Sequence, residues 1–448
     1  MATDPKPKGT GSPRKPFAGI ASIEALGVLG EFNYSLDFGL PGSEKSIRVI
    51  YAENGMGKTT FLRAVYHLLS ADVENLLALS DVAIDFLRVT LRSGTTVEFS
   101  RFDPTLGGFQ LSLSGEIFLE DALITEGQMH LSLDEGDLRT IRRVGNRPDI
   151  ARYLEHLGRA VAPTVLVGDD RLIYSGLEAA QSSVRYRDER EQLRHRHKPQ
   201  SSSVKETLDQ VERALIRMAL VGISNDQSLP NSGVYLEITR SILSGTEDKF
   251  LASEARRALL QKSRQLLDIS ANFEKYGLIS LAQVRSILTE IDKNRSNSAR
   301  FKSLHSVIDP YLSNLLDEVS SLAPAQKRID TFVTSVNRFL ERKDLLFDTL
   351  TGVTLVNRHG EGLDPDSLSS GEKHLLLLLS NAILATFTGS LVIIDEPELS
   401  LGLKWQRILL AELSRCTEGT GVQFLIASHS VQIMADVEEL ISPTEVPT

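Results

Sequence analysis

The sequence predicts an α/β protein whose mixed sheet and antiparallel β-meander are drawn from both ends of the chain and interrupted by an all-α insertion. Three observations carry this. Strand-like apolar runs fill residues 18–175 and return within 346–448, whereas 176–345 shows helical spacing almost throughout. A glycine-rich turn near the start stands between a strand and a helix. A strand ending in two carboxylates stands near the end.

Taken in order, residues 1–17 are rich in Pro, Lys and Gly and read as a disordered tail with no apolar signal segment. Ile20 to Val28 and Phe32 to Phe38 read as a hairpin, and Ile47 to Tyr51 as a short apolar strand. Thr59 to Leu69 reads as a helix with Phe61, Leu62, Val65, Leu68 and Leu69 facing inward. Arg88–Leu91, Thr96–Phe99 and Phe109–Leu113, separated by Ser93-Gly94 and Leu106-Gly107-Gly108, form the meander. Thr164 to Arg171 reads as a further core strand ending in charge.

In the insertion, Val204, Leu208, Val211, Leu215 and Met218 recur at alternating spacings of four and three. Leu259, Leu266, Ile269 and Phe273 continue the pattern in another helix. Breaks are expected at Gly222, 229–233, Gly277 and Pro324, so the insertion reads as compact helices or a short coiled coil. Residues 346–448 return to α/β, with a helix from Gly371 to about Phe387, a strand Leu391–Ile394, a helix Lys404–Ser414 and a strand Val422–Ala427.

The chain has 448 residues, 41% of them hydrophobic, and a formal charge of −10. That charge argues against an all-over basic coat for nucleic acid. One cysteine, Cys416, excludes an internal disulfide and a cysteine-rich zinc site, and fits a cytoplasmic setting. Leu375 to Ile394 has the length of a membrane span but is broken by Thr388-Gly389-Ser390, so it reads as a buried helix feeding a buried strand, with no membrane partner.

Chemistry concentrates in four motifs. Ala52-Glu53-Asn54-Gly55-Met56-Gly57-Lys58-Thr59-Thr60 lies between strand and helix, where backbone N–H groups and the helix N-terminus attract phosphate. Lys58 supplies a point charge to the β- and γ-phosphates of ATP, and the Thr59 hydroxyl is a Mg²⁺ ligand. Ala52 stands where the motif has its first glycine, which the turn tolerates if φ there is negative. Leu391–Ile394 places Asp395 at the strand's carboxyl edge, to hold Mg²⁺ directly or through water, and Glu396 against the attacking water as its base or orienting group. Leu368-Ser369-Ser370-Gly371-Glu372 offers a hydroxyl and helix N-terminal amides as an anion site; its S-x-x-E spacing is equally that of a capping box. His429, after the last strand, is a candidate γ-phosphate contact.

On Ala52–Thr60, Leu368–Glu372, Asp395-Glu396-Pro397-Glu398 and Ser428-His429-Ser430, the chain resembles the ABC-class ATPases of the SMC/RecF/OLD group. Within that group it looks most like the AriA-type and PtuA-type ATPase subunits of the PARIS and Septu anti-phage defence systems. The resemblance implies an ABC-type P-loop ATPase head acting as a homodimer or higher even-numbered homo-oligomer. ATP would be sandwiched between the P-loop of one copy and Ser369, Ser370, Gly371 and Glu372 of another. Gly402 stands where relatives often carry His, and the Q-loop is marked only by Gln128 or Asp170-Arg171. No second acidic cluster suited to a nuclease metal is evident. The expectation is therefore a sensor and scaffold for a separately encoded effector with a TOPRIM or HNH nuclease domain. The alternative is a RecF/SMC-like DNA-repair clamp. Its support is the basic stretch Arg185, Arg187, Arg190, Arg194, Arg196 and Lys198, which otherwise reads as a solvated loop.

Overall fold

A computed structural model describes residues 19–39, 46–103, 108–119, 122–133, 147–168, 173–175, 204–224, 252–293, 298–435, 437 and 440–446. The tail, the basic stretch 185–198 and Asp170-Arg171 lie outside them. The chain divides into two compact units, one of Met1–Ser202 with Asn381–Thr448 and one of Ser203–Ser380.

In the first unit the chain forms β1 (Ile20–Val28), β2 (Phe32–Asp37), β3 (Ile47–Tyr51), α1 (Lys58–Leu69), α2 (Val73–Ser80), β4 (Phe86–Leu91), β5 (Thr96–Asp103), β6 (Gly108–Leu119), β7 (Ala122–Leu133), α3 (Pro148–Ala160), β8 (Thr164–Val167) and β9 (Ile173–Ser175). The second unit holds α4 (Val204–Ser224), α5 (Ala252–Lys275), α6 (Ala282–Lys293), α7 (Ser298–Asn337), β10 (Lys343–Asp348), β11 (Gly352–Asn357) and β12 (Gly362–Leu363). Helix α8 (Ser370–Ala385) begins there and ends in the first unit. The first unit then continues with β13 (Leu391–Asp395), α9 (Leu403–Thr417), β14 (Gln423–Ser428), α10 (Val431–Met434), β15 (Leu440–Ile441) and β16 (Thr444–Glu445).

Two sheets make the first unit. The antiparallel sheet runs β16-β2-β1-β4-β5-β6-β7, and the second runs β15-β3-β14-β13-β8-β9. In the second sheet every neighbouring pair is parallel except β8 with β9. Strand β13 is buried along its whole length between β14 and β8, which is why its apolar run is continuous rather than alternating. Helix α1 buries the inward face read from the sequence, with Phe61, Leu62, Val65, Leu68 and Leu69 all in the core shared by the two sheets. Gln423 links the sheets directly. Its side chain accepts from the Ile20 N–H at 2.6 Å and donates to the Ile20 carbonyl at 2.9 Å.

The sequence reading missed α2 and α3 and understated the meander, which has a further strand, β7, paired along β6. Among the described residues no helix is long and apolar enough to cross a membrane. Leu375–Ile394 divides between α8 and β13, as expected.

In the second unit, the α4 stripe is buried at Val204, Leu208, Val211 and Leu215, with Ala219 rather than the partly exposed Met218 completing it. The α5 stripe needs a correction. Ile269 is exposed, whereas Ser263 and Ser270 are buried between Leu259, Leu266 and Phe273. Small side chains in those places allow another helix to approach closely, so size rather than hydrophobicity marks the face. Gly277 ends α5 as expected, with φ +66 and a Leu278 N–H bonded back to the Phe273 carbonyl. Pro324 does not break its helix, because α7 runs continuously from Ser298 to Asn337 with both Pro310 and Pro324 inside it. Pro324 and Ser320 face solvent, so the carbonyl that proline leaves without a backbone donor is available to water. Gly222 likewise lies inside α4.

Candidate active site

The strand β3 delivers the chain into the turn Ala52–Gly57, and α1 begins at Lys58. Gly55 and Gly57 take φ +88 and +79, which a side chain would strain. At Gly57 an added Cβ would also lie 2.7 Å from Val28 Cγ1. Ala52 is not among the positive-φ residues, so alanine is accommodated in place of glycine. The loop is held from outside by Tyr34, whose hydroxyl donates to the Met56 carbonyl at 2.6 Å and whose ring stacks on Phe61 at 4.5 Å. Burial pushes that hydroxyl up to about 12, which keeps it a donor at neutral pH.

Lys58 is buried and turns its ammonium back into the loop, donating to the carbonyls of Ala52 at 2.6 Å and Glu53 at 3.2 Å. Met56, Thr59 and Thr60 are half-buried, while Asn54 and Gly55 are exposed at the turn. The register of the parallel sheet brings the carboxyl ends of β3, β14 and β13 side by side. As a result the Thr59 hydroxyl donates to Asp395 Oδ2 at 2.5 Å across a sequence separation of 336 residues. Two hard oxygen donors meeting beside a phosphate-cradling loop fit a Mg²⁺-nucleotide.

Glu396 follows with φ +49, a left-handed backbone that non-glycine residues adopt only under constraint. The constraint is visible, since its N–H donates to the Ala427 carbonyl at 2.9 Å. Its Oε1 lies 3.4 Å from His429 Nδ1, and His429 Nδ1 is 3.3 Å from Glu398 Oε1. Lys58 and Thr59 at the start of α1, Asp395 at the end of β13, and Glu396 and His429 just past β13 and β14 thus belong to one unit, at the same edge of the same sheet.

The signature residues belong to the second unit. Ser369 and Glu372 form a reciprocal cap on α8. The Ser369 N–H and hydroxyl each donate to Glu372 Oε2 at 2.8 Å, and the Glu372 N–H returns to Ser369 Oγ at 3.3 Å. Lys343 clamps the same carboxylate at 2.8 and 3.1 Å. Burial acts to raise the Glu372 carboxyl, but the Lys343 and Ser369 donors outweigh it and hold the group below the ordinary glutamate range. Glu372 therefore works inside the motif as an anchor. Ser369 and Ser370 are exposed, and Gly371 is buried.

Sequence reasoning missed Tyr34, Lys343, Glu398 and Gln406. Only Glu398 carried a signal, as part of the Asp395–Glu398 run, and no role was read for it. Gln406 donates to the Leu401 carbonyl at 2.8 Å and accepts from Ser430 Oγ at 2.7 Å. The Q-loop candidate Gln128 falls within the meander strand β7.

Residues 224–435 match the family described as "AAA domain, putative AbiEii toxin, Type IV TA system". The match contains the signature, Asp395-Glu396 and His429, and begins after the P-loop. The chain is also similar to solved Smc head domains. One, from Pyrococcus furiosus, has an extended coiled coil bound to the C-terminal domain of ScpA; identity is 12%, TM-score 0.40, with 96% of each chain covered. Another, from Pyrococcus yayanosii, has a coiled coil and joint; identity is 13%, TM-score 0.38, again with 96% of each chain covered. No curated protein matches the chain. The first unit is an α/β fold with a glycine-rich P-loop between β3 and α1.

Proposed function

We propose that this chain binds and hydrolyses ATP as an ABC-type ATPase. The observation that carries the proposal is the convergence of the Thr59 hydroxyl on Asp395, beside a loop that already turns Lys58 inward. The loop amides and Lys58 hold the phosphates. Thr59 and Asp395 would hold Mg²⁺, which when bound would neutralise charge on the phosphate oxygens. Glu396 orients and deprotonates the attacking water, and His429, at the same edge, contacts the γ-phosphate. The signature residues Ser369, Ser370 and Gly371 complete the site from a second copy, with Glu372 holding their helix end in place.

In the cell the chain acts in the cytoplasm as a sensor and scaffold of a prokaryotic anti-phage defence system, restraining a separate effector with a TOPRIM or HNH nuclease domain. Support comes from the family description, which refers to a putative toxin and a toxin–antitoxin system.

The test is Glu396→Gln. The variant is expected to keep its affinity for a fluorescent ATP analogue, to lose turnover by about 100-fold or more, and to remain associated in ATP on size-exclusion chromatography. Hydrolysis at the wild-type rate would show that Glu396 has been given the wrong role.

A further inference from the structure

The carboxylate of Glu398 is buried, and the mechanism above makes no use of it. One of its oxygens, Oε1, accepts from Ser428 Oγ at 2.8 Å, from the His429 N–H at 2.8 Å and from the Ser430 N–H at 3.1 Å. Its other oxygen, Oε2, is also buried and has no hydrogen-bond partner. A lone carboxylate is costly to bury, and three donors on one oxygen are what keep it there. These donors come from consecutive residues at the end of β14 and just beyond it, whereas Glu398 stands in the loop after β13. The acceptor thus crosslinks the two loops that carry His429 and Glu396. Gln406 adds a second tie between them, and Ser430 caps α10 through the N–H groups of Gln432 and Ile433. His429 itself leaves its imidazole nearly half exposed, with Nδ1 facing the carboxylates of Glu396 and Glu398. Its side chain is not enclosed by packing, so its place is set by its backbone, and its backbone is set by Glu398.

We infer that Glu398 is a positioning residue for ATP hydrolysis. It fixes the Ser428–Ser430 loop so that His429 stands against Glu396, and it acts through His429 rather than on the nucleotide. This inference rests on the ATPase reading of the same site.

The test is a double-mutant cycle on the full chain, read as kcat and KM for ATP, with folding checked by thermal melting. Glu398→Ala is expected to lower kcat by about 100-fold, the scale of a misplaced catalytic group, with KM within about threefold. Glu398→Gln keeps an acceptor oxygen for the three donors and is expected to remain within about fivefold of wild type. Once His429→Ala is present, adding Glu398→Ala is expected to cost less than about threefold more. A wild-type kcat in Glu398→Ala overturns the inference, and so does a full additional loss in the double variant. If Glu398→Ala does not fold, Glu398→Gln decides alone, and a kcat as low as that of His429→Ala overturns the acceptor role. Absence of turnover in the unmodified protein is a different result, because it removes the ATPase reading itself.

Discussion

Gln423 ties one sheet of the first unit to the other by two buried hydrogen bonds, and replacing it by alanine tests that tie. Gln423 is 3% exposed, and the Ile20 it bonds is 0% exposed. The substitution leaves the Ile20 N–H and carbonyl without the partners they have at 2.6 and 2.9 Å. Each orphaned buried group costs about 1–3 kcal/mol, and the shortened side chain leaves a small void besides. The expected loss is about 3–5 kcal/mol, a large share of the ~5–15 kcal/mol typical of a folded domain. The single tryptophan, Trp405, lies in α9 of the same unit and provides the probe. Urea unfolding followed by its fluorescence should show a lower midpoint with an unchanged slope. A loss below about 1 kcal/mol would refute the reasoning, since it would mean that Ile20 finds other partners or that the link is not made.

Two further predictions concern the second unit. Lys343→Met removes the cation from the buried Glu372 carboxylate and should cost ~2 kcal/mol at neutral pH. Because the folded-state pKa of Glu372 is depressed, this contribution is present above the ordinary glutamate pKa and fades as pH falls through the depressed value. Melting curves of wild type and variant should therefore draw together on acidification below the ordinary glutamate range; a difference that grows on acidification would contradict the assignment. Pro324→Ala should stabilise the protein by ~2 kcal/mol, because the residue is solvent-facing inside a continuous helix. A melting temperature that is unchanged or lower would place a real break there.

The parts of this protein legible from its sequence are those where one local segment carries the chemistry. The P-loop glycines, the apolar β13 with its terminal carboxylates and the capping spacing at Ser369–Glu372 each declare themselves within about a dozen residues. What escaped notice depends on residues far apart in the chain. Nothing near Gln423 indicates that it bonds Ile20, and nothing near Tyr34 indicates that it holds Met56. Hydrophobic period alone put Ile269 in the α5 face, where buried Ser263 and Ser270 in fact lie. Pro324 misled for a related reason. Its cost depends on whether the freed carbonyl faces water, and only the packed helix decides that.

In the proposed assembly, Lys58 and Asp395 of one copy share ATP with Ser369 and Gly371 of another. Mixing two inactive variants tests it most directly. Lys58→Ala disables the P-loop and Ser369→Arg disables the signature, and each alone should lose nearly all turnover. Mixed in equal amounts and allowed to exchange, half of the dimers carry one intact composite site, so about a quarter of wild-type ATPase activity should return. If the mixture stays as inactive as its components while mixed dimers form, the two halves of the site do not meet across copies.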